Sequence, residues 1–200
     1  MTTRPGRTPW VPIVLDVAAK AGLIVLLIVA TVYPDVGGVR GKGMGVRAVA
    51  YPIGAFIVPI VWWLWLRRRR TAYPWWGDVL ITLPWFNDTL GNRLNLFDTL
   101  VSFDDWMHYV NWIFLTAGAL VLTTSTAAWW PLLERALAFG VTAALGWELG
   151  EYVAFIRFSP ELVTAYIDTL GDLALGTLGS VTAALALWLL RRRSEASPQP

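Results

Sequence analysis

Five stretches of this chain, residues 11–33, 48–66, 106–124, 132–155 and 167–190, run apolar over roughly the 20 residues that a helix needs to cross a bilayer core. So many segments of that kind constrain the fold more than any other feature, because a chain of 200 residues cannot bury them all in a soluble core. Composition agrees: 56% hydrophobic and 15% charged excludes both an ordinary soluble domain and a disordered chain. The first stretch is too long for the apolar core of a signal peptide, about 7–15 residues, and no small-x-small cleavage site follows it, so it reads as retained. The last qualifies once Asp168 and Asp172 are allowed within it.

Charge then tests the number of spans. Arg4 and Arg7 precede the first stretch, an arginine run at 67–70 follows the second, and another at 191–193 follows the last. The positive-inside rule puts all three in the cytoplasm, and five spans would leave the termini on opposite sides. Parity asks for a sixth, and residues 73–91 supply it despite Asp78, Pro84, Asn87 and Asp88. The first outer loop, with Arg40, Lys42 and Arg47, is the exception. Tryptophan is an independent check, since its amphipathic ring prefers the interface. Trp10, Trp62, Trp63, Trp65, Trp75, Trp76, Trp129, Trp130 and Trp188 all fall near proposed cytoplasmic ends. The expected fold is an all-α polytopic bundle: a single membrane domain over residues 1–190, six spans, both termini cytoplasmic, in a bacterial-type plasma membrane. Residues 94–103 read as an amphipathic segment on the outer surface, with Leu94, Phe97, Leu100 and Val101 at helical spacing. The glycine-rich loop around Gly37 to Gly43 lacks the Lys-Ser/Thr ending of a phosphate loop and reads as a linker. Residues 191–200 read as a basic, disordered tail.

Carboxylates inside spans are costly and face a bundle interior, a partner or a water-filled cavity. In the six-span arrangement Asp104, Asp105 and His108 open the fourth span from outside. Glu148 and Glu151 lie in the outer half of the fifth, and Asp168 and Asp172 occupy the first turns of the sixth. Three helices thus carry acids or imidazole to one outward-facing depth. Asp104, His108 and Asn111 share a helix face, as do Asp168 and Asp172, with Gly176 and Gly179 near it to admit a close neighbour. Such a cluster is neutralised by shared protons or by a divalent metal ion; carboxylates with one imidazole suit Mn²⁺, Zn²⁺ or Fe²⁺, and oxygen ligands alone suit Mg²⁺ or Ca²⁺. The metal-ligand candidates are Asp104, His108, Glu148, Glu151, Asp168 and Asp172. Arg93 and Arg157, near the outer boundary, are candidates for holding an anionic substrate group.

The run Phe103-Asp104-Asp105-Trp106-Met107-His108, a mid-span glutamate, and Asp168-Thr169-Leu170-Gly171-Asp172 followed by Gly179 resemble the VanZ-like and YjdF-like bacterial membrane families. Their pattern is Asp-Lys-x-x-His, a later glutamate, and an Asp-rich last helix ending in Asn-x-x-Gly. The resemblance covers residues 96–184, about half the chain. Asp105 stands where the family has Lys, which removes a built-in counter-charge, and Gly176 where it often has Asn. The resemblance implies a cell-envelope setting and supplies no reaction.

Two functions stay open. One is an envelope protein that binds or modifies an outer-leaflet lipid or cell-wall intermediate, with Asp104, Glu148, Asp168 and Asp172 holding a cation or exchanging protons and His108 as acid or base. The other is a small proton- or cation-coupled transporter, for which Asp16, Lys20 and Asp78 would continue the path inward. A purely structural polar network is the third account of the same acids. Asp16 and Lys20 read most simply as a local i,i+4 ion pair. Membrane lipids are the expected partners; nothing suggests nucleic acid, and no feature reports oligomeric state. The chain has no cysteine, which rules out a thiolate nucleophile or metal site, and no Gly-x-Ser-x-Gly motif.

Overall fold

The computed structural model describes residues 9–36, 39, 42–69 and 71–196. Arg4, Arg7, Arg40, Arg70 and part of the glycine-rich loop lie outside the described residues, as do 197–200 of the tail. Among the described residues the chain forms helices and turns, with no strand. Long helices lie over all six apolar stretches: α1 (Trp10–Val32), α2 (Met44–Val61), α3 (Trp75–Arg93), α5 (Phe103–Thr123), α6 (Trp129–Ala154) and α7 (Ala165–Ala196). The short α4 (Leu96–Thr99) falls inside the segment read as amphipathic. α7 continues through Ala196, so residues 191–196, expected as disordered tail, are helical. Past Pro59, whose ring cannot donate to the helical ladder, α2 widens into a π turn at Trp62–Leu66 and tightens to 3-10 at Arg67–Arg69.

Three helices are long and apolar enough to cross a bilayer: α1, α2 with its continuation to Leu66, and α7. α3, α5 and α6 have comparable length but carry polar residues, many of which build the site. The distribution of side chains is inverted relative to a soluble bundle. Val11, Val14, Val17, Val25 and Ile28 of α1 and Val49, Ile53, Ile57 and Ile60 of α2 are exposed, whereas Asp16, Lys20, Arg47, Asp78, Glu148 and Asp172 are buried. Apolar side chains turned outward are at home in hydrocarbon, which water would penalise.

Two three-helix groups, α1/α2/α3 and α5/α6/α7, join where α3 packs on α5. Small residues set the approach of the helices. A Cβ on Gly179 of α7 would sit 2.4 Å from the Tyr109 carbonyl oxygen of α5, and one on Gly140 of α6 would sit 1.9 Å from Ser180 Oγ of α7. Thr116 and Ser180 hydroxyls pair at 2.9 Å across the α5–α7 contact, the kind of small polar link that replaces hydrophobic drive inside a membrane. At one end Arg191 donates to the carbonyls of Thr126 (2.6 Å) and Thr124 (2.9 Å), satisfying backbone acceptors just beyond α5. The opposite end gathers the C-termini of α3 and α6 and the N-termini of α2, α5 and α7, and there the cavity opens.

Candidate functional site

Asp104 and His108 stand one turn apart on α5, and Asp172 comes from the adjoining face of α7. The His108 imidazole is their meeting point. Its Nε2 lies 3.6 Å from Asp104 Oδ1 and 3.6 Å from Asp172 Oδ1, and its Nδ1 lies 3.8 Å from Glu148 Oε1 of α6. Glu148 and Asp172 are buried, and Thr169 Oγ1 donates to Glu148 Oε2 at 3.2 Å. Donor atoms of His108, Glu148 and Glu151 lie within 4.8 Å of one another, as do those of Asp104, His108 and Asp172. His108 Nδ1 is buried without a hydrogen-bond partner. The structure therefore brings Asp104, His108, Glu148, Glu151 and Asp172 together. Asp168 lines the same cavity, while Asp105 is exposed and does not.

The cavity has a volume of about 340 Å³ and draws its walls from both helical groups. Its polar lining includes Arg47, Asp88, Asp104, His108, Glu151 and Asp172, and Trp85, Trp112 and Trp147 form aromatic wall. Trp106, which neighbours the acids in sequence, is exposed instead.

The counter-charge comes from a residue that the sequence assigns to a loop. Arg47 lies in the first turn of α2, buried, and its guanidinium is almost fully engaged. Nη1 donates to Tyr51 Oη (2.7 Å) and to Asp88 Oδ2, Nε donates to the Lys42 carbonyl (3.0 Å), and Nη2 lies 3.7 Å from Glu151 Oε1. The Tyr51 hydroxyl in turn donates to Asp88 Oδ2 at 2.7 Å. Arg93 and Arg157, expected to hold an anionic group, do not line the cavity. Arg93 donates to the Val36 carbonyl, and Arg157 stacks 4.4 Å above the Phe158 ring. Arg47 and Asp88 carried only a weak signal: in the six-span reading they sit beside those ends of the second and third stretches that share the depth of the acids.

A second buried polar group occupies the other half of the bundle. Lys20 Nζ lies 2.5 Å from Asp16 Oδ1 and 2.7 Å from Asp78 Oδ2, and Thr82 Oγ1 donates to Asp16 Oδ1 at 3.0 Å. The Tyr73 hydroxyl donates to Asp78 Oδ2, adding a neutral donor to the same carboxylate. Asp16 and Lys20 thus pair as expected, and the pair is extended by Asp78 of α3, which is fully buried. None of the three lines the cavity. Between the two polar groups lies an apolar layer of Leu23, Leu27, Tyr51 and Ala55 with Phe56, Trp85, Phe86 and Trp147 packed against it. Along α3 the separation from Asp78 to Asp88 is about 15 Å at 1.5 Å per residue. No protein-family model matches this chain, nor does any curated protein or solved structure.

Proposed function

We propose that this chain is a six-span integral protein of a bacterial-type plasma membrane, with both termini cytoplasmic and the cavity facing outward, and that the cavity binds the polar head of an outer-leaflet lipid or cell-wall intermediate. The observation that carries this reading is the one-sided gathering of polar side chains around the cavity. Carboxylates, imidazole and guanidinium converge there from five helices, while the Asp16–Lys20–Asp78 group beyond the apolar layer is paired within itself and does not line the cavity. A carboxylate-rich pocket walled by Trp112 and Trp147 suits hydroxyl- or amine-bearing headgroups, whose donors the acids accept and whose apolar faces the indoles cover. In this reading Asp104 and Asp172 hold a cation or exchange protons beside His108, with Glu148 behind the imidazole. The resemblance of the acidic pattern to VanZ-like proteins is consistent with the same envelope setting. A proton- or cation-coupled transporter needs access from both sides, and Asp16, Lys20 and Asp78, which would continue the path inward, do not line the cavity, so that alternative ranks second.

The test is the lipid that travels with the protein. Wild type and the Asp104→Asn/Asp172→Asn variant, extracted from the same membranes, are compared by lipid mass spectrometry. Enrichment of one headgroup class over the bulk membrane, lost in the variant, is the expected result. An identical, bulk-like lipid profile in both would overturn the headgroup reading.

A further inference from the structure

We infer that His108, Asp104 and Asp172 form a binding site for one divalent first-row transition-metal ion, with Glu148 orienting the imidazole from behind. The distances make the case. At 3.6 Å, His108 Nε2 is too far from either aspartate oxygen for a hydrogen bond, yet both oxygens are on the same nitrogen. Two ligands bound at about 2.0–2.1 Å to a tetrahedral centre stand about 3.4 Å apart, close to the spacing of Nε2 from each aspartate oxygen, and the three donor atoms all lie within 4.8 Å of one another. On the other side of the ring, Nδ1 is buried, makes no hydrogen bond, and faces Glu148 at 3.8 Å. An approach of about 1 Å would let a metal-bound histidine donate its remaining N–H to this carboxylate, which sets the tautomer and the ring plane.

The surroundings agree. The His108 side chain is 10% exposed and so already desolvated. α5 and α7, which supply the ligands, are held at close range by Gly179 against the Tyr109 carbonyl and by the Thr116–Ser180 hydroxyl pair, so the ligands sit on rigid supports. Two aspartates and a neutral imidazole balance a charge of +2. With only three protein ligands, a coordination position is left toward the cavity for water or a ligand oxygen. Carboxylate with imidazole and no thiolate selects Mn²⁺, Fe²⁺ or Zn²⁺ over soft ions.

This site shares the cavity with the headgroup reading but not its ligand, and the metal is measured on delipidated protein, so either can fail alone. The full chain, purified without a polyhistidine tag, is stripped with chelator and titrated with Mn²⁺. Because His108 is the only histidine in the sequence, ¹⁴N coupling to Mn²⁺ in pulsed electron paramagnetic resonance identifies it without any substitution. The expected result is ¹⁴N coupling from one imidazole, displaced by Zn²⁺. Mn²⁺ affinity falls at least about 100-fold in His108→Ala and Asp172→Asn and about 10–100-fold in Glu148→Gln, the usual cost of losing an orienting partner. Mn²⁺ bound without nitrogen coupling, no Mn²⁺ binding at all, or equal affinity in wild type and His108→Ala overturns the site. If the variants fail to fold, the wild-type spectrum decides.

Discussion

Arg47 shows what a single side chain does for this molecule. Its guanidinium, itself buried, ties α2 to α3 through Asp88, is braced by Tyr51 one turn on in α2, and lies near Glu151 of α6. Removing one member of a buried pair leaves the other charged and uncompensated, which costs about 3–5 kcal/mol, whereas replacing both by apolar groups of similar size is often neutral. Arg47→Ala is therefore expected to destabilise the protein strongly, and Arg47→Met/Asp88→Leu less than the single change, as read by denaturant unfolding in detergent micelles. Equal losses in the two variants would assign Arg47 a packing role only. The same logic applies to Lys20, whose replacement by Met strands Asp16 and Asp78 together. Adding Asp78→Asn to Lys20→Met should recover part of the lost melting temperature. These residues also mark where the sequence is hard to read. The acids of α5, α6 and α7 are legible because carboxylates inside apolar runs stand out. Arg47 is not, because the second apolar run begins at residue 48, whereas α2 starts at Met44 under a left-handed Gly43 cap and carries Arg47 inside the bundle.

Among the helices, the α5–α7 contact matters most, since it supplies His108 and two of the three carboxylates around its imidazole. Alanine at Gly179 would place its Cβ against the Tyr109 carbonyl oxygen, and backbone cannot swing aside as a side chain can. Gly179→Ala is expected to cost about 1–3 kcal/mol through overpacking. At Gly146 of α6 an added Cβ would meet nothing within 4 Å, so Gly146→Ala should be neutral or gain up to about 1 kcal/mol from helix propensity. If both substitutions behave alike in thermal unfolding, close packing of α5 on α7 is not what the glycine provides. Helices are the legible part of this fold: every long helix begins within four residues of the apolar stretch that announces it. Their ends are less so. Hydropathy marks where a run meets the interface, but a helix continues as long as its backbone bonds are made, and α7 carries Arg191, Arg192 and Arg193 a turn beyond the apolar run. Which helices touch is not legible at all, because it depends on pairs such as Gly140 with Ser180 that are far apart in sequence.

For the whole molecule, orientation is read directly by labelling, and the chain is well suited to it. It contains no cysteine, so each introduced thiol is the only one that a maleimide can find. Val101, between α4 and α5, is fully exposed at the cavity end, and Ser125, between α5 and α6, is exposed at the Arg191 end. The arginines at 67–69 and 191–193 favour the cytoplasm for their end by the positive-inside rule, while Lys42 and Arg47 at the other end are already engaged by Asp98, Asp88 and Glu151. Paired cations contribute less to a topological bias than free ones, so the two basic regions are not equivalent. Val101→Cys is thus expected to react with a membrane-impermeant maleimide in intact cells, and Ser125→Cys and Ser194→Cys only after the membrane is opened. The reverse pattern would place the cavity in the cytoplasm and end the outer-leaflet reading while leaving the metal site intact. Labelling of Val101→Cys and Ser125→Cys from the same side would mean that α5 does not cross the bilayer, and the six-span arrangement would fall with it.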